Sequence, residues 1–254
     1  MTTIQDSVER QFSQVAANYA GSAVHRGGPD LAAMLAAVKL QGTEMVLDAG
    51  SGTGHTALAF APHVREVVAY DLTEAMLAQG QRLANERGIS NIRFERGDVT
   101  SLPFADASFD LVTSRYSAHH YPQPQAALAE FARVLRPQGR LLLVDVIAPD
   151  APVSDTFLNA VELLRDPSHV RDHRIGEWVA MAEAVGLQAT HAGTWMIPLE
   201  FGTWTARMQT PVPAQEQIKW LFGLAPAEAR RDLCIQPDHS FSITVALIIA
   251  THAA

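Results

Sequence analysis

The sequence predicts an α/β protein built on a parallel sheet. Short apolar runs rich in β-branched residues follow one another along the chain, at 45–47, 67–70, 92–94, 111–113 and 141–147. Stretches of helical periodicity separate these runs, as expected where crossover helices join parallel strands. Capping signals agree with this spacing, because Thr73 can cap a helix over 74–87 and Gly88 can end it.

The regions before and after this core extend the pattern. Residues 1–44 predict two helices with polar flanks, and the helix that contains 127–136 is expected to close at Pro137 and Gly139.

The C-terminal part continues with two helices and then two strands. The helices are predicted around 157–165 and 175–185, and the strands around 190–201 and 241–252. Between these strands, segment 203–235 carries prolines and large aromatic residues, and it predicts either an inserted cap or a surface excursion.

Composition limits the classes of protein and partner. A chain of 254 residues with 48% hydrophobic content predicts one domain with a sizeable core. The net charge of −8 repels phosphate backbones and argues against nucleic acid as a partner. Cys234 is the only cysteine, and the apolar run 243–250 is too short to span a bilayer. We therefore expect a soluble, cytoplasmic protein without stable membrane insertion.

A glycine-rich loop follows the first predicted strand. The stretch VLDAGSGTGH, residues 46–55, places glycines at positions 50, 52 and 54. Such spacing permits a tight turn and a close approach of backbone to ligand beside a helix N-terminus. A dinucleotide-binding loop would require its third glycine at position 55, which is His55. The loop thus indicates a small-molecule site and weakens the interpretation as an NAD site.

An acidic residue follows each of the first three predicted strands. Asp48, Asp71 and Asp98 would therefore lie at the carboxyl edge of the sheet, where open parallel sheets bind ligands. Asp71 comes about 20 residues after Gly50, the separation at which an acid reaches the ribose hydroxyls of a bound nucleoside. Each acid could instead cap the turn or helix that follows it.

Four stretches together carry a family resemblance. They are VLDAGSGTGH, VVAYDLTEAML, RGDVTSLPFADASFDLV and FARVLRPQGRLLLVDVIAP, in chain order. As a set they resemble class I methyltransferases that use S-adenosylmethionine (SAM), in particular the branch of quinone-biosynthesis C-methyltransferases and their uncharacterised small-molecule relatives.

The resemblance implies a three-layer α/β sandwich around a seven-stranded, mostly parallel Rossmann-like sheet with an antiparallel last strand. It also implies a single domain over residues 1–254. The parts of that domain would be an N-terminal helical cap (1–40), a SAM-binding core (41–150), and the remaining sheet (151–254) with substrate-cap insertions near 151–175 and 203–235.

The same resemblance implies which residues would hold the methionine part of SAM. Asp48 would receive its ammonium group, directly or through water. The surrounding residues would come from the glycine loop, from the end of the fourth strand and from an N-terminal helix that folds over the cofactor: Gly50, Ser51, Gly52, Ser114, Arg115 and Tyr19.

For the adenosine part, Asp71 would accept both ribose hydroxyls. Leu72 and Met76 would sandwich the adenine, although core packing is an equally good reading of both side chains. Asp98 would accept from the adenine amino group, and the backbone N–H of Val99 would donate to a ring nitrogen.

Candidate catalytic residues lie in the stretch SRYSAHHYP, residues 114–122. Methyl transfer is an in-line displacement, and a general base is needed only if the acceptor must lose a proton. His119 and His120 have ordinary pKa values near neutrality and are candidates for that base, while Tyr116 could position an acceptor. Structural roles remain open for both histidines.

We predict no metal site. A magnesium-gripping enzyme would need an acid at the end of the fourth strand to accompany Asp145, and the sequence has none there. The stretch RDPSHVRDHR, 165–174, lacks acids at ligand spacing around its histidines and predicts a solvated loop or a lid hinge.

The predicted function is transfer of a methyl group from SAM to a small, apolar or aromatic acceptor, with S-adenosylhomocysteine as the second product. The pocket for the acceptor would come from 1–40, 151–175 and 203–235. Its possible lining, which could equally be ordinary cap packing, is Trp195, Trp204, Met208, Trp220 and Phe222. The alternatives are a non-catalytic SAM-binding regulatory module and an NAD-dependent oxidoreductase. A monomer and a homodimer are both compatible with the sequence.

Overall fold

A computed structural model describes residues 2–253. It contains one seven-stranded sheet with strand order β3-β2-β1-β4-β5-β7-β6. All strands run parallel except β7, which lies between β5 and β6 and is antiparallel to both. The strands are β1 (Met45–Ala49), β2 (Glu66–Asp71), β3 (Ile92–Arg96), β4 (Phe109–Arg115), β5 (Leu135–Ile147), β6 (Leu187–Leu199) and β7 (Phe241–His252). The predicted fold class, with its antiparallel last strand, is confirmed.

The helices occupy the connections between strands. They are α1 (Ile4–Ala20), α2 (Ala23–Arg26), α3 (Pro29–Ala36), α4 (His55–Phe60), α5 (Glu74–Glu86), α6 (Pro124–Val134), α7 (Pro152–Arg165), α8 (Ile175–Ala184), α9 (Phe201–Met208), α10 (Val212–Gly223) and α11 (Ala227–Asp232). Within residues 2–253, none of them has the length and apolar composition needed to cross a bilayer.

Two details of the predicted helices are wrong. The N-terminal region forms three helices instead of two, because Gly27 and Gly28 have extended or otherwise non-helical backbone between α2 and α3. Helix α6 ends at Val134, before the predicted proline and glycine, because Leu135 already pairs with Phe109 of β4.

Alternating residues of the central strands build two cores, one on each face of the sheet. In β1, Leu47 belongs to a cluster that includes Phe131 of α6 and Trp178 of α8. Its neighbour Val46 points to the opposite face and joins a cluster that includes Phe60 of α4. Because both faces are covered, the ends of the strands are the part of the sheet left to form a site.

The segment between β6 and β7 folds as α9, α10 and α11 and has a buried cluster of its own. Trp204 and Phe222 pack there against Leu158 of α7 and Phe241 of β7. Trp220, in contrast, is 65% exposed.

Helix α1 lies across this C-terminal segment and α5. Its Phe12 and Val15 pack with Met76 of α5 and Met208 of α9 in a separate cluster. The side-chain amide of Gln11 donates to the Met208 carbonyl at 2.8 Å. These contacts fix α1 over the carboxyl edge of the sheet.

A buried ion pair anchors the rest of the N-terminal region to the end of β4. The guanidinium Nε of Arg115 donates to Asp30 Oδ2 of α3 at 2.6 Å, and both side chains are almost fully buried. Arg115 Nη1 also donates to the carbonyl of His25 at 2.7 Å. One side chain at the edge of the sheet therefore fixes the backbone of α2 and α3.

Removal of one member of this pair should be strongly destabilising. We expect Asp30→Ala to lower the free energy of unfolding by about 3–5 kcal/mol, because Arg115 would remain as an uncompensated buried charge. Urea denaturation measures this change. Asp106→Ala is the matched control, because Asp106 pairs with Arg133 on the surface, and it should cost less than about 1 kcal/mol. Equal effects of the two substitutions would contradict the role of the Asp30–Arg115 pair.

Candidate functional site

A cleft at the carboxyl edge of the sheet brings most of the predicted binding residues together. This main cleft has about 950 Å³ of empty space, part of it open to solvent. The predicted residues that line it are Tyr19, Gly50, Ser51, Gly52, Asp71, Leu72, Met76, Asp98, Val99 and Arg115. Asp48 and Ser114 do not line it.

The glycine loop takes a backbone conformation that other residues rarely adopt. Gly50 has φ +67° and its N–H donates to the carbonyl of Tyr70 at 2.8 Å. A Cβ on Gly50 would lie 2.8 Å from the hydroxyl of Tyr121, so no side chain fits there. Gly52 has φ +54°, and no atom lies within 4 Å of the place its Cβ would occupy. The loop thus leaves bare backbone and free space in the main cleft.

Asp48 lies beneath the loop and supports it. Its carboxylate accepts from the hydroxyl of Thr113 at 2.7 Å and from the backbone N–H of Ala57, in the first turn of α4, at 3.1 Å. Burial raises the pKa of Asp48 to about 6. Asp48 is almost fully buried and does not line the main cleft, so its placement does not support direct contact with a ligand.

Asp71 and Asp98 both cap backbone and face the main cleft. Asp71 accepts from the N–H groups of Gly52 and Thr73, each at 2.8 Å, and burial raises its pKa above the ordinary value. Asp98 accepts from the N–H and the hydroxyl of Thr100, both at 2.8 Å. Each carboxylate oxygen can accept two hydrogen bonds, so both acids keep capacity for a ligand. Capping and ligand binding are therefore compatible at these positions.

Two buried polar atoms of the glycine loop, residues 46–55, have no partner. The hydroxyl of Ser51 makes no hydrogen bond, and neither does Nδ1 of His55. The other ring nitrogen of His55, Nε2, lies 3.2 Å from the carbonyl of Tyr19 and must carry the proton, because a carbonyl only accepts. Nδ1 is thus a free acceptor in the cleft that also holds the free hydroxyl of Ser51. From the sequence, His55 only weakens the NAD interpretation, because its free acceptor depends on the position of Tyr19 in the folded chain.

A second cavity, with about 580 Å³ of empty space of which part is open to solvent, adjoins the main cleft. Five side chains line both spaces and form the wall between them: Phe12, Tyr19, His25, Tyr116 and His120. Of the five side chains predicted as possible lining of an acceptor pocket, only Trp204 lines this second cavity. Met208 and Phe222 pack in buried clusters instead.

His119 faces the second cavity as a charged group. Its Nδ1 donates to Oδ1 of Asp145 at 2.6 Å, and its backbone N–H donates to Oδ2 at 3.0 Å. Burial acts against the charged imidazolium, but the carboxylate of Asp145 outweighs it and raises the pKa of His119 to about 9. At neutral pH His119 is therefore a hydrogen-bond donor and not a free base.

His120 is held in the opposite protonation state. Its Nδ1 donates to the carbonyl of Ser168 at 3.0 Å, which leaves Nε2 without a proton. Burial and the positive charge of His119 lower the pKa of His120 to about 4. The two neighbouring histidines, which have the same ordinary pKa, thus differ in charge at neutral pH.

Tyr116 occupies the wall in a strained backbone conformation. Its φ is +55°, which is uncommon for a residue with a bulky side chain. Its hydroxyl is buried without a hydrogen-bond partner, and burial raises its pKa above the ordinary value. The phenol therefore has unused donor and acceptor capacity at the boundary between the two spaces.

The expectation that segment 165–174 is a solvated loop is wrong. Ser168 and Asp172 are almost fully buried. The backbone N–H groups of Val170 and Arg171 both donate to the carbonyl of His119. Together with the hydrogen bond from His120 to the carbonyl of Ser168, these contacts pack the segment behind the two histidines. Among residues 2–253, no group of three or more His, Cys, Asp or Glu side chains is arranged to hold a metal ion.

Comparison with known proteins gives consistent matches. A family model described as a methyltransferase domain matches residues 47–143. The uncharacterized methyltransferase YcgJ of Bacillus subtilis (strain 168) is 42% identical over 227 residues, which are 89% of this chain and 90% of YcgJ. The crystal structure of YcgJ aligns with a TM-score of 0.85 at 39% identity, over 89% of this chain and 99% of that one.

Two further proteins are similar to this chain. The crystal structure of a putative methyltransferase (BH2331) from Bacillus halodurans C-125 aligns with a TM-score of 0.84 at 34% identity, over 88% of this chain and 98% of that one. The ubiquinone/menaquinone biosynthesis C-methyltransferase UbiE of Bdellovibrio bacteriovorus is 35% identical over 158 residues, 60% of this chain and 67% of UbiE.

The His119–Asp145 pair predicts a specific pH dependence of stability. The pKa of His119 is higher in the folded than in the unfolded chain, so the stabilisation is complete below about pH 6.5 and is lost as pH rises through about 9. We expect His119→Gln to reduce the free energy of unfolding more at about pH 6 than at about pH 9.5, as measured by urea denaturation. His191→Gln, on the exposed side of β6, is the control and should show no such trend. A pH-independent effect of His119→Gln would contradict the assignment.

Proposed function

Since this chain belongs to the family of SAM-dependent methyltransferases that includes YcgJ, we propose that it methylates a small-molecule acceptor with an apolar or aromatic part. The family agrees with the resemblance carried by the sequence motifs. The observation that supports the finer proposal is the pair of adjoining spaces, the main cleft and the second cavity, which share a wall of five side chains. The main cleft would hold the cofactor and the second cavity the acceptor.

The adenosine part of SAM would be held by the acids and by Val99. Asp71 would accept from the ribose hydroxyls with the capacity that Gly52 and Thr73 leave unused. Asp98 would accept from the adenine amino group, and Val99 would donate its backbone N–H to the ring. Leu72 and Met76 would pack against the adenine faces, and Met76 also belongs to the cluster beneath α1.

The methionine part fits the polar atoms left free in the main cleft. The hydroxyl of Ser51 can donate to a carboxylate, and Nδ1 of His55 can accept from an ammonium group. The bare backbone at Gly52 allows close approach, and Tyr19 on α1 covers this end. Asp48 would act from below by holding the loop.

SAM supplies an electrophilic methyl group on a positively charged sulfur. The protein would supply orientation, because a well-aligned displacement gains on the order of 7–11 kcal/mol from held geometry. Helix α1 and the wall residues would exclude water from the line between the two spaces.

His120 would take a proton from the acceptor, because it lines both spaces and its Nε2 is unprotonated. An attacking oxygen or nitrogen becomes strongly acidic as the methyl group bonds to it, so a weak base is sufficient. His119 would remain protonated and donate a hydrogen bond to the acceptor, and Tyr116 would position it through its free hydroxyl.

The role proposed for Asp71 is testable by binding alone. We expect Asp71→Asn to raise the Kd for S-adenosylhomocysteine at least about tenfold, because a charged acceptor of the ribose hydroxyls is lost. Isothermal titration calorimetry measures this affinity. Asp106→Asn, on the exposed surface, is the matched control and should leave it unchanged. An unchanged affinity in Asp71→Asn would mean that the ribose is held elsewhere.

The catalytic proposal is tested with SAM that carries a deuterated methyl group. Purified protein is incubated with a small-molecule extract, and mass spectrometry should detect a product that has gained the labelled methyl group. Tight binding of S-adenosylhomocysteine without any labelled product would contradict catalysis and favour a regulatory SAM-binding module. Product formed equally by the His120→Ala variant would rule out His120 as the base.

A further inference from the structure

We propose that the acceptor is a small organic acid whose carboxylate, or a similar anionic group, binds in the second cavity between Arg165 and Arg207. This inference rests on the proposed function, because it takes the second cavity as the acceptor site. It adds an anionic group to the apolar or aromatic part proposed above.

Arg207 is a partly buried cation that lacks a partner. It lies in the last turn of α9 and lines the second cavity. Its Nε is buried and makes no hydrogen bond. Glu162 is the carboxylate whose charge acts on the pKa of Arg207, and it is already paired with Arg165 at 3.4 Å. Burial and the like charge of Arg165 together lower the pKa of Arg207, although an arginine stays protonated at neutral pH.

Arg165 is fixed in a position that faces the same space. It is 8% exposed, and its Nε donates to the carbonyl of Trp204 at 3.2 Å. The guanidinium carbon lies 5.0 Å above the centre of the Trp204 ring. The hydroxyl of Tyr19 lies near both guanidinium groups. These contacts orient the group, so a ligand would meet it without further ordering of the side chain.

Of the acids that line the second cavity, Glu162 forms a salt bridge with Arg165, and neither it nor Asp172 forms one with Arg207. Glu162 can compensate one guanidinium. Both carboxylate oxygens of Asp172 are buried without a partner, and burial raises its pKa well above the ordinary value, which favours the uncharged form. His119 adds a positive charge that Asp145 matches. Among residues 2–253, Arg207 forms no salt bridge with a carboxylate, and an anionic ligand would supply that partner.

A carboxylate suits these donors. Arginine presents several N–H groups in a planar fork that matches the two oxygens of a carboxylate, and such pairs are stronger than neutral hydrogen bonds. A buried charge without a partner is costly, so the cavity gains most from a ligand that supplies the missing anion.

The other residues that line the second cavity indicate the chemical character of the rest of the acceptor. Trp204, Ile197, Leu199 and Ile243 provide apolar surface for a ring or an aliphatic chain. The methylated atom would lie beside Tyr116 and His120, where the wall adjoins the main cleft. The acceptor class is therefore an acid with an apolar or aromatic body and a nucleophilic atom away from its carboxylate.

The first experiment compares benzoate with benzamide, which have the same shape and differ in charge. Each is titrated into protein saturated with S-adenosylhomocysteine, and the ¹H–¹⁵N signal of Arg207 Nε is followed by NMR. We expect benzoate, and not benzamide, to shift this signal with saturation. The Nε signal of exposed Arg231 on α11 is the internal control and should not saturate.

The variant Arg207→Met tests the source of this preference. The Kd for benzoate should rise at least about tenfold, whereas Arg231→Met should leave it unchanged. Thermal unfolding shows that the variant is folded: loss of an unpaired, half-buried cation should leave the melting temperature equal to or above that of the parent. The affinity for S-adenosylhomocysteine should stay the same.

Three results would overturn this inference. Equal binding of benzoate and benzamide would remove the charge preference, and a preference that survives Arg207→Met would place the anion elsewhere. A parallel loss of affinity for S-adenosylhomocysteine would show that Arg207 binds the carboxylate of the cofactor instead of the acceptor. Binding of benzoate without any labelled methyl product would leave the anion site in place and refute the catalytic proposal, whereas a labelled product that lacks an acidic group would do the reverse.

Discussion

Burial of the sheet on both faces is the constraint on which the rest of this molecule depends. Val46 and Leu47, neighbours in β1, already belong to different cores, so polar side chains of the central strands can meet a ligand only where the strands end. The glycine loop, the acids that follow the strands and the wall with Tyr116 all lie at that carboxyl edge. This edge has room for two spaces. Residues at the ends of β1, β2 and β3 line the main cleft, and residues of β5, β6 and β7 line the second cavity.

Local signals explain how much of this arrangement the sequence predicts. The strands, most helices and the glycine loop are predicted by patterns within a few residues. A glycine is required at position 50 because its backbone has a positive φ. The end of α6 is not local, because the pairing of Leu135 with Phe109 decides it. The predicted acids lie at the expected edge of the sheet. Asp48, however, is buried beneath the loop, where it accepts from Thr113 and from the start of α4, and only the folded packing determines that placement.

The second cavity was beyond prediction for a physical reason. The charged residues of this cavity come from three separate segments: Glu162 from α7, Asp172 from segment 165–174 and Arg207 from α9. In the sequence each of them looks like a solvated surface charge, because only the packing of these segments brings them together. The same holds for His119 and His120, which the sequence cannot distinguish. A carboxylate beside the ring of His119 keeps it protonated, and a carbonyl beside the ring of His120 accepts from a neutral imidazole.

The position of β7 also bears on how the chain is made. Within residues 2–253, β7 is the strand that pairs with β6, and β7 follows it in the chain only after α9, α10 and α11. The five strands from β1 to β5 can pair while synthesis continues, but β6 stays without a strand partner until the three helices that follow it and β7 have been made. During that interval β6 offers an unpaired edge, which is the stage at which a nascent chain is most exposed to aggregation and to chaperones.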